Sequence, residues 1–86
     1  MSTWEYRGLS AELQEQYLLG LTHSFDYLAT RDERLEIFFL LLECTDRMED
    51  SEMRRELNDW LAAHPERGKY AAASNFIAAM EEVCNL

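Results

Sequence analysis

Apolar positions along this chain recur at steps of three and four, not two. Leu9, Leu13, Tyr17, Leu21, Phe25 and Leu28 trace one face of a helix that starts near Ser10, which can cap it, and ends around Ala29. Glu12 suits the positive end of that helix, and Gly20 weakens its middle. Thr30-Arg31-Asp32-Glu33 reads as a capping box, so a second helix is expected from residue 30 to about 48. Ser51 and Glu52 then open a third helix with a stripe at Met53, Leu57, Trp60 and Leu61. That helix stops at Ala63, because His64 precedes Pro65 and a residue before proline avoids the helical region. Pro65 is suited to the first position of a fourth helix, lined by Ala73, Phe76, Ile77, Met80 and Cys84 with Val83 beside them.

The pattern therefore predicts an all-α, compact four-helix domain. Its helices lie near 10–29, 30–48, 51–63 and 66–84, residues 1–9 form an N-terminal arm, and residues 1–86 make one domain. Composition agrees: three glycines and one proline leave little material for hairpins, while Leu, Glu, Ala and Met favour helix. A chain of 86 residues has a thin stability margin, since it buries a modest share of its surface.

The second helix carries Ile37-Phe38-Phe39-Leu40-Leu41-Leu42, six apolar residues in a row. A membrane span is excluded, because it needs about 20. On a helix the run divides into a stripe of Leu35, Phe38, Phe39 and Leu42 and a stripe of Ile37, Leu40, Leu41 and Cys44, extended by Met48. A helix apolar all round is usually buried all round, so this one is expected at the centre of the bundle. If its neighbours fail to cover it, one stripe stays exposed and marks an interface.

Charge narrows the choice of partner. Seventeen acidic residues against eight basic give a net charge of -9. Such a surface repels nucleic acid and anionic membranes and attracts a protein with a basic face. Glu36, Glu43, Asp46, Glu49 and Asp50 cluster along and after the second helix. They are a solvated face with pairs such as Asp50 with Arg54, or a rim that steers a basic partner. With Phe38, Leu42 and Trp60, and with Trp4 and Tyr6 ahead of the first cap, they form the candidate partner-binding set. Trp4 and Tyr6 either fold back as a hydrophobic clasp or contact the partner.

Catalytic chemistry has little to stand on. No G-x-S-x-G, glycine-rich phosphate loop or H-E-x-x-H is present, so no catalytic or cofactor-binding residue is assigned and a non-enzymatic protein is expected. His23, Cys44, His64 and Cys84 lack the close pairing of zinc ligands, so no metal is assigned either. The N-terminus MSTWEYRG lacks the basic start and apolar run of a secretory leader. A cytoplasmic protein with reduced thiols is expected, the disulfide being the lesser option.

From about Leu40 to Val83 the chain resembles the N-terminal cytoplasmic domain of FecR-type sigma regulators. The likeness rests on Leu57-Asn58-Asp59-Trp60-Leu61-Ala62-Ala63-His64-Pro65-Glu66, which matches a W-L-x-x-x-P-like helix end, then on Tyr70 to Ala73 and Phe76. The chain departs where the family usually has tryptophan or alanine near Leu40, and a glycine-containing loop at Met48-Glu49-Asp50-Ser51. The resemblance implies an anti-sigma module, either a cut-out domain or a free-standing relative, that binds a sigma factor. The residues themselves leave two other readings open. One is a small acidic inhibitor, of a kind phages encode, that mimics phosphates toward a nucleic-acid-binding protein. The other is a homodimer that buries the spare stripe of the second helix.

Overall fold

The chain opens with a helix where an arm was expected. In a computed structural model, which describes residues 1–31 and 36–86, α1 spans Thr3–Arg7. Ser2 and Glu5 form a capping box: the Ser2 Oγ accepts the Glu5 amide at 3.0 Å, and the Glu5 carboxylate accepts the Ser2 amide at 3.2 Å. Those bonds hold the Glu5 carboxyl below its ordinary range. Five residues cannot sustain a helix alone, so α1 depends on what it is pinned to. The Ala72 amide donates to the Met1 carbonyl and the Thr3 amide to the Tyr70 carbonyl, tying the N-terminus along the chain before α5.

The remaining elements are α2 (Ala11–Arg31), α3 (Glu36–Thr45), α4 (Asp50–Ala63), a 3-10 turn (Pro65–Lys69) and α5 (Ala72–Val83). The all-α class holds, with no strand among the described residues. Ser10 caps α2 as expected, its Oγ accepting the Leu13 amide. α2 continues through Thr30 to Arg31, and the rest of the expected capping box lies outside the described residues, as does Leu35. α4 stops at Ala63 as expected, but it starts one residue early, with Glu49 in the cap position in place of Ser51. The last helix begins at Ala72, six residues later than expected. Pro65 opens a 3-10 turn instead, because the Tyr70 backbone is extended and breaks the helical path.

The centre of the fold is α5, not α3. Ala72, Asn75, Phe76, Ala79 and Met80 of α5 are buried, and the helix packs against α1, α3 and α4. Phe76 stacks on Phe25 of α2 with ring centroids 5.9 Å apart. Leu18, Leu41, Met53, Leu57 and Leu61 complete the core.

Buried polar groups shift two of the expected faces. On α2 the inward positions are Gln14, Leu18, Thr22 and Phe25, while Leu13 is exposed. Gln14 tolerates burial because its amide donates to the Tyr6 carbonyl and its oxygen accepts from Asn58. On α5 the fully buried Asn75 closes a network. Its Nδ2 donates to the Thr3 hydroxyl at 2.7 Å and to the Arg67 carbonyl at 2.8 Å, and its Oδ1 accepts from Arg67 Nε at 2.9 Å. The Thr3 hydroxyl donates onward to the Tyr70 carbonyl. The network joins α1, the 3-10 turn and α5 through satisfied partners, the condition on which polar groups enter a core.

Tyr6 is fully buried against Tyr17, and its hydroxyl has no hydrogen-bond partner among the described residues. Burial pushes its phenol up to about 12; the Arg54 guanidinium opposes that rise and the Glu15 carboxylate adds to it. The sign follows directly. The unfolded chain releases this proton near 10 and the folded chain retains it, so stability falls as pH climbs from 10 toward 12. Tyr6→Phe is expected to leave stability at pH 7 unchanged or slightly higher, since it deletes an unpaired hydroxyl. It should also lessen the alkaline loss. Urea titrations of both chains at pH 8 and pH 11 check this; equal losses would assign the alkaline effect elsewhere. Tyr17, also raised by burial, retains part of it.

Candidate functional site

The apolar run on α3 is covered on one side only. Leu41 is fully buried, and Ile37, Phe38 and Leu42 pack against the core. Phe38 lies 5.8 Å from Phe25, centroid to centroid. Phe39 is 50% exposed and Leu40 37%. The two expected stripes are therefore both split. The inward face is 37, 38, 41, 42 and 45, and the outward face is Glu36, Phe39, Leu40 and Glu43, at the i, i+3, i+4, i+7 spacing of a single helix side. The expectation of a central, fully covered helix fails: α3 packs on α2 and α5, and Phe39 and Leu40 stay exposed.

Leu40 opens onto a surface groove of about 430 Å³. Its walls are Leu40, Glu43, Cys44, Arg47 and Met48 from α3 and the following turn, Glu52 from α4, and Val83, Cys84 and Leu86 from the C-terminal turn. Val83 and Leu86 are themselves exposed. The groove is thus mixed: Leu40, Met48, Val83, Leu86 and the cysteine pair give its apolar part, and Glu43, Glu52 and Arg47 its charged part.

Cys44 and Cys84 are joined as a disulfide, which corrects the expectation of reduced thiols. The packing of α3 on α5 places their Cα atoms 6.3 Å apart, inside the span of roughly 4.4–6.8 Å that a disulfide bridges. Forty positions apart in sequence, they carry no local signal of pairing. Neither is then a thiolate donor for a metal, and no metal-type cluster occurs among the described residues.

The remaining candidates separate. Tyr6 is core, which removes it as a partner contact, whereas Trp4, on the other side of α1, is 83% exposed. Phe38 and Leu42 are half-buried and face the core, so they support the site from below. Glu36 and Glu43 flank the exposed pair on α3. Asp46 faces a different depression, shared with Leu19, His23 and Asp26. Glu49 occupies the N-cap position of α4 without a side-chain capping bond, and Asp50 sits half-buried in the first turn, where both complement the helix dipole. Arg54, the expected partner of Asp50, instead pairs with Glu15 of α2 at 3.0 Å. Trp60 packs partly on the core, stacks on the His64 ring at 4.2 Å and donates its indole N–H to Glu82 at 2.7 Å.

The sequence reading placed Phe39 and Leu40 in apolar stripes but not in the candidate set, and Arg47, Met48, Glu52, Val83 and Leu86 also fell outside that set. The signal for Leu86 is weak, an apolar residue after Asn85, which adopts the left-handed conformation that ends α5. In comparisons with protein-family models, curated proteins and solved structures, no match to this chain is found. No described helix is long and apolar enough to cross a membrane.

Proposed function

We propose that this protein is a non-enzymatic interaction module that regulates a partner by occupying it, through the outward face of α3. One observation carries the reading: Phe39 and Leu40 stand exposed side by side, between Glu36 and Glu43, on a helix whose other side is core. Contiguous exposed apolar residues rimmed by charge are a feature of docking surfaces. The net charge of -9 and the carboxylates around the groove select the occupant, a basic amphipathic helix with an apolar stripe. The likeness to FecR-type regulators makes a sigma factor the first candidate for the protein that carries it. The same reading locates the protein in the cytoplasm, where a bond such as Cys44–Cys84 is one that forms and opens.

The test is capture from a bacterial lysate at low and high salt with wild type and Leu40→Asp. Leu40 already reaches solvent, so the variant is expected to fold normally by circular dichroism. Losing a docked leucine and placing a charge there should weaken capture about tenfold or more. The captured protein should be basic, and wild type should retain it at high salt. Equal capture by both chains would refute the α3 face. Binding that collapses with salt in both would favour phosphate mimicry. A doubled mass that Leu40→Asp abolishes would make the occupant a second copy.

A further inference from the structure

The docking groove has a covalent bond in its floor. Cys44 and Cys84 both line it, and both are half-buried. Their disulfide ties the end of α3 to the end of α5. Beyond Met80 no residue is fully buried: Glu81 and Cys84 are half-buried, and Glu82, Val83, Asn85 and Leu86 are exposed. The non-covalent hold on this turn is local. Asn85, at φ 58°, lets the chain double back. Its amide donates to the Glu82 carbonyl at 3.2 Å and the Leu86 amide donates to the Glu81 carbonyl at 2.8 Å, the two bonds of a Schellman ending. Glu82 also accepts from the Trp60 indole. A turn with so few buried contacts opens at low free energy unless something clamps it. Here the clamp is the disulfide, and what it holds in place is the groove wall made by Val83 and Leu86.

We infer that Cys44–Cys84 is a redox latch on the docking groove. Oxidised, it keeps Val83 and Leu86 on the groove wall beside Leu40, and a basic amphipathic helix seats there. Reduced, the C-terminal turn comes away and docking is lost. The latch rests on the docking reading above. The reductant is a dithiol. One of its thiolates attacks a sulfur of the pair, forming a mixed disulfide and expelling the other cysteine as thiolate. The second thiolate of the reductant then attacks the reductant's own sulfur in that mixed disulfide, closing the reductant's disulfide and expelling the second cysteine. Two electrons pass to the cysteine pair, and the two protons given up by the reductant end on Cys44 and Cys84. The groove gives the attacking thiolate its way in.

Dithiothreitol serves as the reductant, and a synthetic leucine–lysine amphipathic helix as the docking probe. Trp4→Phe, at an exposed position, leaves Trp60 as the single tryptophan and its indole N–H as a reporter of Glu82. On reduction, hydrogen exchange at residues 82–86 should become fast and insensitive to low urea, the mark of local opening, and the indole signal should shift, while the amides of Leu57, Phe76 and Met80 quicken only by the shared loss of global stability and keep a steep urea dependence. Peptide affinity should fall about tenfold or more, the cost of re-ordering the freed turn, and recover on reoxidation. The Cys44→Ser/Cys84→Ser chain should match the reduced protein without reagent. Exchange at 82–86 that keeps the same urea dependence as the core amides would make the bond a staple of the whole fold and nothing more, and unchanged exchange at 82–86 would show that the turn holds itself; either overturns the latch. Oxidised Leu40→Asp separates the two ideas. If it binds the peptide as wild type does, or if wild type binds none, the docking reading fails whatever the exchange shows.

Discussion

Phe76→Ala is expected to cost about 3–5 kcal/mol, the usual range for deleting a buried phenyl ring. Phe76 is fully buried on the central helix and stacks on Phe25, which in turn contacts Phe38, so one ring links α5, α2 and α3. The loss has two parts, the transfer of the ring out of water and the cavity left where three helices meet. With a urea dependence of about 1 kcal/mol/M, the unfolding midpoint should fall by roughly 3–5 M. Phe39→Ala provides the contrast: that ring is half-exposed, and its removal should change stability by no more than about 0.5 kcal/mol. If the two variants unfolded at similar urea concentrations, α5 would not be the centre and α3 would be more deeply covered than described.

Removing the disulfide should be nearly as costly. The bond joins positions separated by 40 residues. In the chain-entropy account, closing a loop of that size disfavours the unfolded state by about 4 kcal/mol. For a domain of this length the corresponding fall in melting temperature is roughly 15–30 °C, as each kcal/mol is worth about 4–8 °C. Cys44→Ala/Cys84→Ala should therefore melt far below the oxidised wild type and coincide with wild type held in reductant. Differential scanning calorimetry of the three samples decides it. A double variant as stable as the oxidised protein would mean that α5 holds α3 without covalent help. The core built on Phe76, Leu57 and Met80 does not include the bond, so the reduced chain is expected to stay folded at room temperature, the state in which the latch operates.

Both predictions depend on contacts that the sequence pattern shows incompletely. The α4 stripe of Met53, Leu57 and Leu61 was legible, because every inward position is apolar and the caps are local. The stop at Ala63 was legible too, since the clash that a proline imposes on the preceding residue needs no tertiary partner. On α2 and α5, reading apolar residues alone gave faces rotated from the real ones. Gln14 and Asn75 look like surface residues until their partners on other elements are known. The capping box of Ser2 and Glu5 has a local signature, S-x-x-E, but five residues read as an arm until Tyr6 is seen in the core.

The candidate site divides in the same way. Its chemistry, an apolar run among carboxylates, is plain in residues 36–43. Which members face outward is not, because on a helix apolar all round every direction is equally suited to burial. Read alone, the sequence was enough for the helical class, the start of α2, both ends of α4 and the end of α5 to within a residue, and the acidic character, since propensity, capping and charge act within a few residues of one another or sum over the chain. Only the tertiary structure decided that α5 lies at the centre, that Phe39 and Leu40 stay uncovered and that Cys44 meets Cys84. Those outcomes depend on which helices lie against which, and that is settled by shape and by polar groups finding partners across the fold.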